Sequence, residues 1–129
     1  MSKDRRDQDY LEHIQEAISK IQRFTAGKSE ADFLSDALLQ DAVIRNLEII
    51  GEAVSKLSAD LKTEHGDVPW GEISGMRNRL IHGYMTVNLE IVWSTVEKVV
   101  PDFLLKVTGI QGELQESTPL RPGGGHRST

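Results

Sequence analysis

The sequence predicts an all-α protein, an up-and-down bundle of four main helices with short extra helices. Apolar residues recur three and four positions apart along most of the chain, as they do on one face of a helix. No stretch alternates apolar and polar residues as a half-buried strand does. With 129 residues, 38% of them hydrophobic, the chain is long enough for one domain with a core and too short for two.

The first predicted helix covers residues 7–26 and ends at Gly27. Its apolar face consists of Tyr10, Leu11, Ile14, Ala17, Ile18, Ile21 and Phe24. Ser29 is a predicted N-cap with Asp32 in the capping-box position, so a short helix is expected over residues 31–34.

The longest periodic run follows and predicts the central helix of the bundle. Its main stripe consists of Leu39, Val43, Leu47, Ile50, Val54, Leu57 and Leu61. Further apolar residues widen this stripe, which indicates packing on more than one side. Gly51 is expected to permit a close helix contact, and Arg45 and Glu48 are spaced as an ion pair. Glu48 and Glu52 are either catalytic carboxylates or part of a solvated acidic face.

Residues 65–69 interrupt the periodicity and predict a loop, in which His65 is expected to be solvated. Trp70 opens the next helix. Its side chain either packs over a site or anchors the core, and anchoring is the usual role of a tryptophan.

Asn88 is a good N-cap for the last helix. The apolar face of that helix consists of Leu89, Val92, Trp93, Val96 and Val100. Pro101 predicts that the helix ends just before it and restarts over residues 102–105. The apolar pattern then fades, so residues 1–108 are the predicted domain and residues 109–129 a flexible C-terminal tail.

The helix before Gly83 combines a buried face with a chemically rich one. Ile73, Met76 and Leu80 share a face that should be buried. The other side carries Asn78, Arg79 and His82, and Arg77 lies at the edge of the apolar stripe. Arg77 and His82 are roughly 140° apart around a helix of about 3.6 residues per turn. A tightened helix end or a second subunit is therefore needed to bring them together.

The chemistry available to this stretch is general acid–base catalysis. Histidines stand at positions 13, 65, 82 and 126 without the spacing of metal ligands, and neither a phosphate-binding glycine loop nor a serine-nucleophile motif is present. No metal or cofactor is therefore predicted. Histidine ordinarily titrates near pH ~6.5, so His82 suits proton transfer. Taken singly, such residues near a helix C-terminus also suit the negative end of its dipole.

The spacing of Arg77, His82 and Tyr84 matches the Arg-x4-His-x-Tyr signature of HEPN-domain proteins. The surrounding run from Met76 to Tyr84 is similar to the HepT-type toxin branch of these proteins, as are the segments 47–53 and 87–101. The resemblance covers roughly residues 7 to 108.

The resemblance implies a HEPN-like helical fold and a metal-independent RNA endonuclease that acts as a homodimeric toxin. His82 would be the general acid or base, and Arg77 would stabilise the charged transition state. Asn78 would orient His82, and Arg79 would hold backbone phosphate. Tyr84 would receive AMP from a partner nucleotidyltransferase antitoxin, which neutralises the toxin.

Composition limits the partners and the compartment. A net charge of −5 argues against broad nucleic-acid binding, so RNA would need a local patch, such as two copies of Arg77 and Arg79. No apolar run approaches the ~20 residues of a membrane helix, and a cytoplasmic protein without membrane contact is expected. Two alternatives stay open: a noncatalytic HEPN module that binds a nucleotide or partner, and a structural helical dimer.

Overall fold

The chain forms four long helical segments and two short helices over the residues that the structure describes. The computed structural model describes the backbone of residues 3–82 and 88–117, and the side chains of residues 5–76, 78 and 88–115. The helices are α1 (Lys3–Thr25), α2 (Glu30–Leu34), α3 (Ala37–Lys56), α4 (Ala59–Glu64), α5 (Trp70–His82), α6 (Leu89–Ser94), a π-helical turn (Thr95–Val99) and α7 (Val100–Ser117). These ranges contain no strand, and the predicted all-α class is confirmed.

The turn between α1 and α2 follows the predicted signals. Gly27 has a φ of 73°, in the left-handed region that favours glycine. Ser29 and Asp32 form the predicted capping box. The Asp32 N–H donates to Ser29 Oγ at 3.1 Å, and the Ser29 N–H donates to Asp32 Oδ2 at 2.9 Å. The bond from the Ser29 N–H is the main reason why the pKa of Asp32 lies below its ordinary value.

Helix α3 is central, as its wide apolar face predicts. It packs against α1 on one side and α5 on another, while α1 also packs against α7. The buried residues of α3 are Leu39, Val43, Asn46, Leu47, Ile50, Gly51, Ala53 and Val54. The hydrophobic core runs continuously from α1 through α3 to α5 and α7.

The long apolar run that contains α3 is divided into two helices. α3 ends at Lys56, and Ser58 starts α4 as its N-cap, with Ser58 Oγ accepting from the Leu61 N–H at 3.2 Å. Leu57 and Leu61 remain buried on either side of the break. The stripe was correctly predicted as core, but a serine that caps a new helix interrupts it.

Asp7 is a buried carboxylate that joins the start of α1 to the start of α4. Only 3% of the residue is exposed. Its Oδ1 accepts from the Ser58 N–H at 2.9 Å, and its Oδ2 accepts from Ser58 Oγ at 2.7 Å. Because Ser58 caps α4, Asp7 fixes both the cap and the packing of two chain segments that are 51 residues apart.

Asp7→Ala is expected to lower the free energy of unfolding by about 1.5–3 kcal/mol, the usual worth of hydrogen bonds to a charged group. Urea denaturation followed by circular dichroism measures the change. Asp9→Ala is the matched control, because Asp9 is an exposed carboxylate on the same helix. Equal stability of the two variants would show that the Asp7–Ser58 contact contributes nothing.

Pro101 does not interrupt the last helix, contrary to the sequence prediction. The helical residues run without a gap from Leu89 to Ser117, and a π-helical turn directly precedes the proline. In that turn the Val100 N–H donates to the Thr95 carbonyl, five residues back. Proline has no N–H and its ring clashes with the carbonyl four residues earlier. The wider π turn relieves that clash while the helix continues.

The described helix also extends beyond the predicted domain boundary at residue 108. Ile110 is buried, and Leu114 packs against the core. With Phe103 and Val107 they form one stripe at helical spacing, which explains why α7 continues to Ser117. The remainder of the predicted tail, residues 118–129, lies outside the described residues. None of the helices within residues 3–82 and 88–117 is long and apolar enough to cross a membrane.

Candidate functional site

Helix α5 carries four of the five predicted site residues. The residues are Arg77, Asn78, Arg79 and His82. The described part of the helix reaches His82, and the predicted stop at Gly83 lies outside the described residues. Tyr84 lies outside the described residues.

The two faces of α5 are as predicted wherever its side chains are described. Ile73 and Met76 are buried in the core, whereas Asn78 on the opposite side is exposed. The helix thus presents a polar face beside an apolar one that packs against α3. The close approach of Arg77 to His82 stays a prediction, because it concerns side chains outside the described set.

The start of α5 is anchored by Trp70. Its Nε1 donates to the His65 carbonyl at 3.0 Å. Its ring meets the edge of Phe103 on α7, with centroids 6.0 Å apart and planes at 82°. Only 7% of Trp70 is exposed, so the tryptophan is a core anchor, as its usual role predicts.

The loop that leads into α5 is fixed to α7 by an ion pair and by a contact between a histidine and a carboxylate. Lys106 Nζ lies 3.1 Å from Asp67 Oδ2, and His65 Nε2 lies 3.4 Å from Glu113 Oε1. The His65 side chain is 19% exposed, so the prediction of a solvated histidine is wrong. The physical reason is Glu113, which the continuation of α7 past residue 108 brings beside the loop.

The Asp67–Lys106 pair shifts both pKa values. The hydrogen bond from Lys106 lowers the pKa of Asp67, and the same bond raises the pKa of Lys106. A carboxylate whose pKa is lowered on folding stabilises the fold above its unfolded-state pKa. This contribution is lost as pH falls through the folded-state pKa. A lysine whose pKa is raised on folding loses its stabilising contribution only as pH rises through its folded-state pKa. The pair is therefore intact across neutral pH, although exposure keeps its contribution small.

These anchors were not visible in the sequence. Asp67 and Lys106 are 39 residues apart and belong to different elements. Phe103 was the one local indication of such an anchor in the sequence, because a lone aromatic residue on an apolar stripe usually contacts another large side chain. The anchors hold the first turn of α5 against α7 and leave its last two turns to carry the arginines, asparagine and histidine. In the described parts of the chain, no three His, Asp or Glu side chains are placed to share a metal ion.

The match to known proteins covers most of the helical domain. The family model for "Ribonuclease HepT-like" proteins matches residues 14–110. A Thermococcus cleftensis protein named "Probable ribonuclease HepT" is 46% identical over 97 residues, which are 75% of this chain and 88% of that protein. The match agrees with the family resemblance drawn from the residues between 76 and 84.

Two further relatives differ in their length. A Caldanaerobacter subterraneus subsp. tengcongensis protein named a "Putative RNase" is 44% identical over 101 residues, 78% of this chain and 90% of that protein. A Methanocaldococcus jannaschii protein named "Gamma-glutamylcyclotransferase and putative RNase" is 40% identical over 108 residues, 84% of this chain. The present chain matches about half of that longer protein, 49% of its length. No solved structure is significantly similar to the chain.

Proposed function

Because the chain belongs to the HepT-like ribonuclease family, we propose that it is a metal-independent endoribonuclease and the toxin of a toxin–antitoxin pair. The observation that carries this proposal is the intact Arg-x4-His-x-Tyr signature from Arg77 to Tyr84, which begins within α5. The signature lies inside the family match of residues 14–110. A cytoplasmic location is part of the proposal, because both the RNA substrate and the ATP used by the partner are present in the cytoplasm.

The proposed reaction is an internal transfer at a ribose phosphate. His82 accepts the proton of the 2′-hydroxyl as its oxygen attacks the adjacent phosphorus. The phosphorus–O5′ bond breaks, and a protonated His82 donates a proton to the departing oxygen. The products are a 2′,3′-cyclic phosphate and a 5′-hydroxyl. Water is not consumed in this step, and no metal ion is required for the proton transfers.

The neighbouring residues have supporting roles in this scheme. Arg77 donates to the phosphorane-like transition state, where a planar guanidinium matches two phosphate oxygens. Asn78, one turn from His82, orients the imidazole, and Arg79 holds a backbone phosphate. The exposed position of Asn78 supports an open site on this face of α5.

The active unit in this proposal is a homodimer. Five positions separate Arg77 from His82, which directs the two side chains to different sides of a regular helix. A two-fold axis beside the ends of both α5 helices provides two arginines and two histidines in one cleft. One His82 then acts as base while the partner's His82 acts as acid, and paired arginines offset the overall acidity of the chain.

An RNA cleavage assay in EDTA, combined with the molar mass in solution, tests this function against its alternatives. We expect cleavage by a dimer. A chain that binds a nucleotide or a protein partner but cleaves no RNA would be the noncatalytic module. A dimer that neither binds nor cleaves would be structural. Cleavage that only magnesium restores would require different chemistry.

Tyr84 is the proposed point of control. The partner antitoxin is a nucleotidyltransferase that uses ATP. The Tyr84 oxygen attacks the α-phosphorus, pyrophosphate leaves, and AMP stays on the tyrosine. The added phosphate places negative charge beside His82 and Arg77, where the RNA phosphate binds, and so blocks the substrate.

Tyr84→Phe is expected to retain most RNA cleavage and to resist inactivation by the transferase and ATP. Tyrosine ordinarily has a pKa near ~10, so its hydroxyl is a poor base at neutral pH. Intact mass and cleavage rate, measured before and after incubation with the transferase, test both points. Equal inactivation of the variant with AMP on another residue would contradict the role of Tyr84. Loss of cleavage in the unmodified variant would make Tyr84 part of the catalytic machinery.

A further inference from the structure

A surface groove of about 420 Å³ lies between α1 and α3, and its floor borders the core at Ala53. Tyr10 and His13 form its wall on α1, with ring centroids 6.1 Å apart in an edge-to-face arrangement. Ile49 and Ala53 of α3 provide apolar lining. The volume is within the roughly 300–1,000 Å³ range of small-ligand sites. Half-buried aromatic and apolar surface of this kind suits a flat ring.

The groove also contains the carboxylate of Glu48. The Glu48 side chain is 24% exposed, and among the described residues it pairs with Arg45, with Nη1 3.8 Å from Oε1. That distance is beyond hydrogen-bond range. Within the described part of the chain, the Glu48 carboxylate accepts no hydrogen bond from the protein. A partly buried acceptor in this state has room for a ligand that donates to it.

Basic groups lie at the edge of the same groove. The Arg45 side chain is 72% exposed, and Lys56, which is 49% exposed, lies 3.4 Å from Glu52. Both are on α3, where they are accessible to phosphate groups on either side of a bound base. An aromatic wall, a carboxylate that accepts no hydrogen bond from the described residues, and flanking cations together form the elements of single-stranded RNA recognition.

We infer that this groove binds one unpaired guanine of the RNA substrate, an inference that rests on the proposed ribonuclease function. A carboxylate is an acceptor only. Guanine presents two adjacent donors, N1–H and N2–H, so it can bond to both Glu48 oxygens at once. Adenine and cytosine each place an acceptor beside their donor, and uracil places its single donor between two carbonyls. The ring stacks on Tyr10, and Arg45 and Lys56 contact the phosphates.

The position of α3 relates this groove to the proposed cleavage site. One side of α3 lines the groove, and another side packs against α5, the helix of the signature. A base held by Glu48 is thus fixed to the helix that supports α5. The guanine is expected to select where the RNA is cut, while Arg77 and His82 carry out the cleavage.

Calorimetric titration with GMP and UMP tests the groove without requiring catalysis. Wild type is expected to bind GMP about tenfold or more tightly than UMP, the usual discrimination of one bidentate base contact. Glu48→Gln, of nearly the same shape, should lose this preference, and Tyr10→Ala should weaken both nucleotides. Glu97→Gln is the matched control, because Glu97 is an exposed glutamate on the π-helical turn. Equal binding of GMP and UMP, no binding, or an unchanged preference in Glu48→Gln would overturn the inference.

Mapping cleavage positions separates this inference from the proposed function. On unstructured RNAs with a single guanine, wild type should cut at a fixed distance from that guanine, and Glu48→Gln should cut without regard to it. Selective GMP binding without any RNA cleavage would refute the nuclease and support the base site. Cleavage at positions unrelated to guanine, with equal GMP and UMP binding, would refute the base site and support the nuclease.

Discussion

His82→Ala is expected to slow RNA cleavage at least ~100-fold, the lower end of what a general acid or base contributes. In the proposed dimer the substitution removes both the base and the acid, so the loss should be near the upper end of that range, ~10,000-fold. His82 lies off the predicted apolar stripe of α5, and its removal should change the free energy of unfolding by no more than about 0.5 kcal/mol. Single-turnover cleavage rates and thermal denaturation measure the two effects.

Arg77→Ala should give a comparable loss, about 100- to 1,000-fold, because it removes a donor to the transition state. Arg23→Ala is the control, since Arg23 is an exposed arginine in the last turn of α1. It removes the same charge from the chain without touching α5. Wild-type cleavage by either the His82 or the Arg77 variant would contradict the assigned roles. An equal loss in Arg23→Ala would point to overall charge as the cause.

Phe33→Ala is expected to have the largest effect on stability, a loss of about 3–5 kcal/mol. Phe33 is fully buried although α2 has only five residues. Its ring lies 5.3 Å from that of Trp93 on α6, and α2 packs against both α3 and α6. Such a loss is a large part of the roughly 5–15 kcal/mol that stabilise a typical domain. Urea denaturation, monitored by helical circular dichroism, gives the free energy of unfolding.

Leu38→Ala is the matched control for Phe33→Ala. Leu38 is also apolar and belongs to the neighbouring helix, but it is 80% exposed. Its truncation should change the free energy of unfolding by less than about 0.5 kcal/mol. Similar losses in the two variants would mean that α2 does not depend on the burial of Phe33. That result would contradict the packing described for α2 and α6.

Local patterns in the sequence predicted most of the helices because local physics determines them. The capping box of Ser29 and Asp32 formed as predicted. So did the N-cap of Asn88, whose Oδ1 accepts from two backbone N–H groups. The apolar periodicity predicted the central position of α3, since only a helix packed on several sides buries so wide a face.

The structure differs from the sequence predictions where a distant contact, or a local change in helix geometry, overrides a local sequence rule. Ser58 divides a continuous apolar run, and the distant carboxylate of Asp7 holds it in place. Pro101 is accommodated by a π turn that is not apparent from its sequence. His65 pairs with Glu113, a residue from a segment predicted to be a tail. Contacts across dozens of residues leave no mark in a local pattern.

The orientation of α5 was predictable in a similar way. The buried and exposed faces of α5 follow from spacing, and Ile73, Met76 and Asn78 are placed accordingly. The Asp67–Lys106 contact that fixes the preceding loop was not predictable, because it depends on how α7 packs. The joint action of Arg77 and His82 remains a prediction, since spacing alone does not bring two residues five positions apart together.

Cleavage of a matched pair of RNAs in EDTA tests the proposed chemistry most directly. The two RNAs differ only by a 2′-deoxyribose at the nucleotide that is cut. The 2′-hydroxyl is the proposed nucleophile, so the all-ribose RNA should be cleaved to a 2′,3′-cyclic phosphate and the 2′-deoxy RNA should stay intact. Cleavage of the 2′-deoxy RNA at the same position, or cleavage of either RNA only after magnesium is added, would contradict the account.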